Sequence, residues 1–232
     1  MPVSLYRPRQ RHCKSTHYRK RHGYRRRTIV KPEAIMMNML DKYLSTKINL
    51  TPQQYHRIAA LGRTETLKRE ELLDNPNSDY HSLVLGGCLR CFRPLDIDGE
   101  QTLRFLPVGT WHSSLLGLPP AAPPAIFTDA LVTTQLIRWK SVDIRQLREE
   151  IPAFDFLFRQ VIVENFREME NRLYITTSAD AEQRYADFIT AYPQILPWAP
   201  LNQIASFLGI ARETLSRIRN NKYHTATANG HG

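Results

Sequence analysis

Residues 200–220 read PLNQIASFLGIARETLSRIRN, and this stretch decides how the carboxyl-terminal part of the chain folds. Its apolar residues recur at helical spacing in two short segments on either side of Gly209. Gly209 lies where a tight turn requires a positive φ, and Ala205 is small where two helices must approach closely. The stretch therefore predicts two helices joined by a tight turn, with Pro200 in the first turn of the opening helix. The apolar positions are Ile204, Leu208, Ile210, Leu215 and Ile218.

The second of these helices carries polar and charged side chains on its outward face. Such side chains hydrogen-bond to base edges in the major groove of DNA and to the phosphates beside it. The candidate base-reading residues are Arg212, Glu213, Ser216 and Arg217. The candidate phosphate contacts are Asn202, Thr214, Arg219 and Lys222. The layout is typical of a helix-turn-helix whose second helix enters the groove, although a small apolar helical hairpin has the same spacing.

The segment GIARETLSRIR, with SADAEQRY and YPQILPW upstream of it, resembles the carboxyl end of Crp/Fnr-type bacterial transcription regulators. The resemblance is to the shorter subgroup with RY, P-x-L and ETLSR motifs, and it extends more weakly back to about Met37. It implies that Glu213, Ser216 and Arg217 match the base-reading pattern of the Fnr branch, and that Arg212 matches an additional contact of the Crp branch. Both branches read a TGA core, so we expect a palindrome built on TGA and TCA arms.

The resemblance also implies an α+β fold. This fold comprises a cyclic-nucleotide-binding-type double-stranded β-helix (jelly-roll) barrel, a long dimerisation helix and a carboxyl-terminal helix-turn-helix. We accordingly expect a β-roll sensor domain at 35–150, the dimerisation helix at 151–178 and the DNA-binding domain at 179–222. A basic disordered extension at 1–34 and a disordered tail at 223–232 complete the predicted organisation.

The net charge of +10 comes entirely from residues 1–34, which hold 11 of the 32 Lys and Arg but one of the 22 acidic residues. This extension is poor in aliphatic residues and cannot bury a core. It is either a basic arm that makes sequence-independent phosphate contacts, or upstream sequence with no selected role, since Met36, Met37 and Met39 lie where members of the family begin. The rest of the chain is neutral, so the net charge is not evidence for DNA binding.

Between residues 64 and 139 the pattern changes to short runs rich in Leu, Val, Thr and Phe, which predict a barrel of short strands. Residues 36–44 predict a helix before them, and Thr51-Pro52 starts a second helix that ends at Gly62. A hairpin turn is expected at 96–99. The predicted strands are 80–85, 88–93, 101–106, 126–132 and 134–139.

Cyclic-nucleotide binders of the family carry a Gly-Glu-Leu segment for the ribose, followed by Arg-Ser or Arg-Thr for the phosphate. The corresponding places here are Gly109-Thr110-Trp111, without a carboxylate, and residues 118–126, without an arginine. A buried phosphate that lacks a cationic partner costs about several kcal/mol. We therefore expect weak or absent cyclic AMP and cyclic GMP binding, and the sequence does not identify another effector.

No cofactor or metal is expected. An iron–sulfur cluster needs about four ligands, usually thiolates, and Cys88 and Cys91 are the only cysteines beyond the basic extension. Residues three apart on a strand also point to opposite faces. His81 and His112 are isolated, so a haem ligand is not indicated.

Residues 152–177 form the longest helical pattern of the chain. Apolar side chains recur along it at intervals of four and three, as in a coiled-coil seam. The candidate dimer-interface residues are Ile162, Phe166, Met169 and Leu173. A helix packed on its own barrel would show the same stripe. Ser178 is predicted to cap the helix that follows.

These observations favour a sequence-specific DNA-binding transcription regulator that acts as a homodimer on a palindromic site. The expected partners are double-stranded DNA, a second copy of the chain and RNA polymerase. No membrane is expected, because no apolar run approaches about 20 residues, and the odd number of cysteines indicates the cytoplasm. An enzyme of the cupin type is disfavoured, since the strands lack a His-x-His pair. The alternative is a module that senses a ligand or partner and whose helix-turn-helix does not read DNA.

Overall fold

A computed structural model of the chain describes residues 34–73, 79–95, 99–113, 126–178 and 180–228. In this part of the chain, two helices precede seven strands, and five helices follow them. The first helices are α1 (Ala34–Lys47) and α2 (Pro52–Leu61). The strands are β1 (Arg63–Leu67), β2 (Tyr80–Gly86), β3 (Cys88–Pro94), β4 (Glu100–Pro107), β5 (Trp111–Ser113), β6 (Phe127–Ala130) and β7 (Thr134–Lys140). The last helices are α3 (Ser141–Glu150), α4 (Pro152–Ser178), α5 (Ala181–Ala191), α6 (Leu201–Leu208) and α7 (Arg212–Ala228).

The strands form two antiparallel sheets, with the orders β1-β7-β2-β5 and β4-β3-β6. Apolar side chains of both sheets meet in one buried interior cluster, as alternation along a pleated strand requires. The residues of this interior cluster are Leu67, Leu73, Val84, Leu89, Cys91, Leu106, Ala130 and Leu136. The predicted α+β fold with a roll of short strands is confirmed, and the roll consists of two antiparallel sheets.

Helices cover the outer face of the four-stranded sheet. Trp111 and Trp139 stack there with their ring centroids 5.3 Å apart, and the Trp139 indole N–H donates to the carbonyl of Ile58 at 2.8 Å. The first turns of α4 join this core through the buried Phe154 and Phe158. The long helix is therefore anchored on the roll at its amino-terminal end. This anchoring sets the direction in which the remainder of α4 extends.

The five predicted strands are present, and the largest difference is in β6, which ends two residues before the predicted 132. The sequence did not single out β1 and β5. These are the two edge strands of the four-stranded sheet. β1 is mostly polar, and β5 has only three residues. Short, polar edges are the usual way in which sheets avoid pairing with other chains, and they weaken the sequence signal. Of the hairpin turn at 96–99, Gly99 alone is described, with φ 139°.

The helix predictions need three corrections. The cap of α5 is Asp180 and not Ser178, because the Asp180 carboxylate accepts a hydrogen bond from the Gln183 amide at 2.8 Å. Pro200 is the residue before the first turn of α6 and does not lie within it. The helix α7 continues to Ala228, past residue 222, since no Gly or Pro interrupts it before residue 230. The predicted basic extension, up to residue 33, lies outside the described residues.

Candidate nucleic-acid interface

The turn between α6 and α7 has the geometry that the sequence predicts. Gly209 is in the left-handed conformation, with φ 66° and ψ 34°. Its amide donates to the Ser206 carbonyl at 3.3 Å, and the amide of Ile210 donates to the Ala205 carbonyl at 3.1 Å. This is the hydrogen-bond pattern with which a glycine after a helix closes its last turn. The turn directs the chain immediately into α7.

The helix α7 is buried on one face and exposed on the other. Leu215 and Ile218 lie in a core with α5 and α6. The side chains of Arg212, Glu213 and Arg217 are exposed. The exposed face therefore carries three of the four predicted base-reading residues, whereas Ser216 is half-buried. Among the predicted phosphate contacts, Asn202 is exposed and Thr214 and Arg219 are half-buried; the side chain of Lys222 is outside the described part.

The core beneath α7 is shared with the β-roll. Phe105, on β4, has its ring centroid 5.2 Å from that of Phe207 and 6.1 Å from that of Phe188. Cys88 and Leu131 of the roll lie in the same buried cluster as the apolar residues of α5, α6 and α7. The helices α6 and α7 are thus packed against the outer face of the three-stranded sheet. This contact leaves the face of α7 that carries Arg212, Glu213 and Arg217 exposed to solvent.

Hydrogen bonds reinforce this contact at the edge strand β4. The Ser206 hydroxyl donates to the Glu100 carbonyl at 3.0 Å and accepts from the Thr102 amide at 2.9 Å. The Gln101 side-chain amide donates to the Ser206 carbonyl at 2.5 Å. In this way α6 satisfies backbone groups of an edge strand, which would otherwise need water or another chain. The sequence does not reveal this site, because more than 100 residues separate the partners.

The long helix α4 has two distinct faces beyond its anchored first turns. The predicted dimer-interface residues form an apolar seam that is exposed in the single chain: Ile162 by 41%, Phe166 by 60%, Met169 by 62% and Leu173 by 65%. A neighbouring face of the helix contacts its own chain. There Arg104, on β4, donates to Asn165 at 2.9 Å and to the Glu168 carboxylate at 2.5 Å. The phenol of Tyr192 also donates to Glu168, at 3.2 Å. Burial and the nearby Glu168 charge raise the pKa of Tyr192 to about 12.

Of the two places that correspond to the nucleotide contacts of cyclic-nucleotide binders, the first lies within the described residues. Gly109 is in a turn with φ 84°, and Trp111 is buried in the core on the outer face of the roll, where its indole N–H donates to the Tyr43 hydroxyl at 2.9 Å. Residues 118–125 lie outside the described part of the chain.

His112 introduces an imidazole among the buried polar groups of the roll. Its Nε2 lies 3.0 Å from the Thr128 hydroxyl, and Thr128 in turn contacts the Cys91 thiol at 3.5 Å. Burial, the charge of Arg104 and the neighbouring His81 lower the pKa of His112 to about 4. The imidazole is therefore neutral at pH 7.

We expect this histidine to destabilise the fold in mild acid. An unfolded histidine titrates near pH 6.5, so between pH 6.5 and 4 the unfolded chain binds more protons at this position than the folded chain does. The free energy of unfolding should fall by about 2–3 kcal/mol on acidification through this range. Urea titrations at several pH values should show a smaller fall for His112→Gln than for the wild type. The exposed His56→Gln is the matched control, and equal slopes for all three proteins would contradict the prediction.

The two described cysteines lie in different environments. Cys88 packs in the cluster under α6, and Cys91 packs in the interior of the roll, so they occupy opposite faces of β3. Burial raises the pKa of both thiols, that of Cys88 to about 12. Within the described ranges, no three His, Cys, Asp or Glu residues come together as a metal site, and no helix is long and apolar enough to cross a membrane.

Comparisons with known proteins identify the fold. No protein-family model matches the sequence, and no curated protein matches it. The structure is similar to that of FixK2 from Bradyrhizobium japonicum, with TM-score 0.60 and 16% identity over 71% of this chain and 86% of that one. It is also similar to a protein of Eubacterium rectale described as a transcriptional regulator of the Crp/Fnr family, with TM-score 0.59 and 18% identity over 75% and 85% of the two chains. A third similar structure is CLP of Xanthomonas campestris, described as a global regulator responsive to c-di-GMP, with TM-score 0.57 and 12% identity over 76% and 93%.

These similarities establish the architecture. The chain has the fold of the Crp/Fnr regulators, in which a cyclic-nucleotide-binding-like roll of antiparallel sheets is combined with helices.

Proposed function

We propose that the chain is a sequence-specific DNA-binding transcription regulator of the Crp/Fnr type, which binds a palindromic site as a homodimer. One observation carries the proposal. The helix α7 follows a glycine turn, buries Leu215 and Ile218, and leaves Arg212, Glu213 and Arg217 in solvent. A recognition helix requires this arrangement, because its inner face must be held while its outer face enters the major groove.

The exposed side chains have the chemistry for base recognition. Arg217 can donate two hydrogen bonds to O6 and N7 of one guanine. Glu213 lies one helical turn earlier on the same face, where it can accept from a cytosine amino group and orient Arg217. Arg212 and Ser216 supply further base contacts, and Asn202, Thr214, Arg219 and Lys222 are assigned to phosphates. The expected site is a palindrome with TGA and TCA arms.

We expect Arg217→Ala to weaken binding to the preferred site by about 1–3 kcal/mol and to relax the preference at one guanine. Fluorescence anisotropy with the preferred site and with each single-base variant of that guanine measures both effects. Arg219→Ala is the matched comparison on the same helix. It should weaken binding to all sequences alike and reduce the slope of log affinity against log salt by about one. A uniform loss for Arg217→Ala would contradict its assigned role.

The homodimer rests on the two faces of α4. A helix packed on its own barrel along its whole length would bury its apolar stripe, but beyond the anchored first turns α4 contacts its own chain through polar side chains: Asn165, Glu168 and Arg172. The apolar seam is left exposed. A second copy of the chain can cover it by coiled-coil packing. Two recognition helices related by a two-fold axis then reach successive major grooves, about 34 Å apart.

We propose further that the roll does not bind cyclic AMP or cyclic GMP. The first corresponding place has no carboxylate, and its Trp111 is committed to the core. The second place has no arginine. Isothermal calorimetry with either nucleotide should detect no binding in the micromolar range, and micromolar affinity would contradict the assignment.

The proposed partners are double-stranded DNA, a second copy of the chain and RNA polymerase, and the proposed location is the cytoplasm. We assign no enzymatic activity and no cofactor. The alternative is a ligand- or partner-sensing module whose helix-turn-helix does not read DNA specifically. Selection from a random DNA pool distinguishes the two. A regulator enriches one site over random competitor DNA, whereas for the alternative module the enriched site and random DNA compete equally.

A further inference from the structure

Two arginines bind the carboxyl end of α6, directly before the turn. Arg172, on α4, donates through Nη2 to the carbonyl of Phe207 at 3.0 Å and to that of Thr102, on β4, at 3.2 Å. Its guanidinium carbon lies 4.4 Å from the centroid of the Phe207 ring. Arg184, on α5, donates to the carbonyl of Leu208 at 3.2 Å and to that of Thr176, near the end of α4, at 2.6 Å. We call Arg172 and Arg184 the guanidinium clamp.

The clamp completes the hydrogen bonding of the last turn of α6. The last four carbonyls of a helix have no partner within the helix, and they form its negative end. Here the turn amides take the carbonyls of Ala205 and Ser206, and the clamp takes those of Phe207 and Leu208. Each arginine also binds a carbonyl of another element, which is β4 for Arg172 and α4 for Arg184. The clamp therefore ties the turn to the roll and to the long helix at once.

We propose that the guanidinium clamp fixes the position of α7 relative to α4, and thereby sets the spacing between half-sites that the dimer accepts. The inference rests on the proposed function. Arg172 lies between Met169 and Leu173 in the sequence of α4, but its side chain points away from the apolar seam toward the turn, so it joins the dimer helix directly to the turn. Only residues 209–211 separate the clamped carbonyls from the start of α7. With Ser206 bound to the edge of β4, the recognition helix has little freedom to move on its own.

A fixed position predicts a sharp dependence on spacing. When the two recognition helices of the dimer are held at one separation, binding of the first half-site gives the second a high effective concentration. A change in the spacing of the half-sites abolishes this gain in affinity. When the clamp no longer holds the turn, each recognition helix still recognises its half-site. Simultaneous binding of both half-sites is then weaker at the best spacing, but it falls less when the spacing is changed.

The test uses the full chain and the palindrome that the wild type selects from a random DNA pool. Arg172→Gln and Arg184→Gln are compared with the wild type on this palindrome, on versions with one or two inserted central base pairs, and on DNA with a single half-site. We expect each variant to lose about tenfold or more in affinity for the palindrome, with half-site affinity within about twofold of wild type. The penalty for the insertions should be smaller than in the wild type.

Arg167→Gln is the matched control, since it removes the same charge from an exposed position on α4. Sedimentation equilibrium should show that all variants remain dimers. If Arg172→Gln fails to fold, Ser206→Ala and Arg184→Gln decide the question, because each loosens the turn without removing the guanidinium from α4. Unchanged spacing preference in the folded variants overturns the clamp and leaves the regulator intact. A wild type that selects no DNA overturns both proposals.

Discussion

We expect Phe166→Asp to convert the protein to a monomer and to raise the dissociation constant for the palindrome by about 100-fold or more. The aspartate places a charge in the middle of the apolar seam, where the partner chain would have to desolvate it without a cation. A monomer loses the effective concentration that couples two half-sites, which is worth about two to four orders of magnitude. Because Phe166 is 60% exposed in the single chain, the substitution removes little of its own core.

Sedimentation equilibrium gives the mass, and fluorescence anisotropy with the palindrome and with a single half-site gives the affinities. Half-site affinity should change little, since the described core contacts of α7 are with α5 and α6 and not with the seam. Asn171→Asp adds the same charge at an exposed position of α4 outside the seam, and it should leave the dimer intact. A Phe166→Asp protein that stays dimeric would show that another surface joins the chains.

The second large effect is expected at a buried ion pair of the roll. Arg90, 3% exposed, donates through Nε to one Asp129 oxygen at 3.0 Å and through Nη2 to the other at 2.6 Å. Its Nη1 lies 2.7 Å from the Glu100 carboxylate. Burial and the neighbouring Asp129 charge raise the pKa of Glu100 to about 7. Asp129 is the principal counter-charge of Arg90, because it binds the guanidinium through both of its oxygens.

Asp129→Ala should lower the free energy of unfolding by about 3–5 kcal/mol, because it leaves a buried guanidinium without its bidentate partner. Urea unfolding at pH 7 measures the loss. Glu149→Ala, which removes an exposed carboxylate from α3, should change stability by less than about 0.5 kcal/mol. The double variant Arg90→Met/Asp129→Leu should recover most of the loss, since removing both charges removes the desolvation cost as well. A loss below about 1 kcal/mol for Asp129→Ala would mean that Glu100 alone neutralises Arg90.

The sequence by itself determined the features that depend on residues three or four apart. These include the glycine turn before α7, the capping hydroxyl of Thr51 before α2, and the extent of α4 to within one residue. Helical periodicity, caps and glycine conformations are local properties, so a single sequence contains them. The cap of α5 was misplaced by two residues because Ser178 and Asp180 are both good capping residues, and local chemistry does not choose between them.

Only the tertiary structure decided which face of α4 contacts its own chain, where the edge strands lie, and what holds the turn before α7. The apolar seam fits either a barrel or a partner. The structure leaves it exposed because α4 turns a polar face, which pairs with Arg104, toward its own roll. The partners of Ser206 and Arg172 on β4 are about 70 to 106 residues away in the sequence. Such contacts depend on how complete elements dock, and no local pattern of residues encodes them. The position of the candidate recognition helix is therefore a property of the folded chain as a whole.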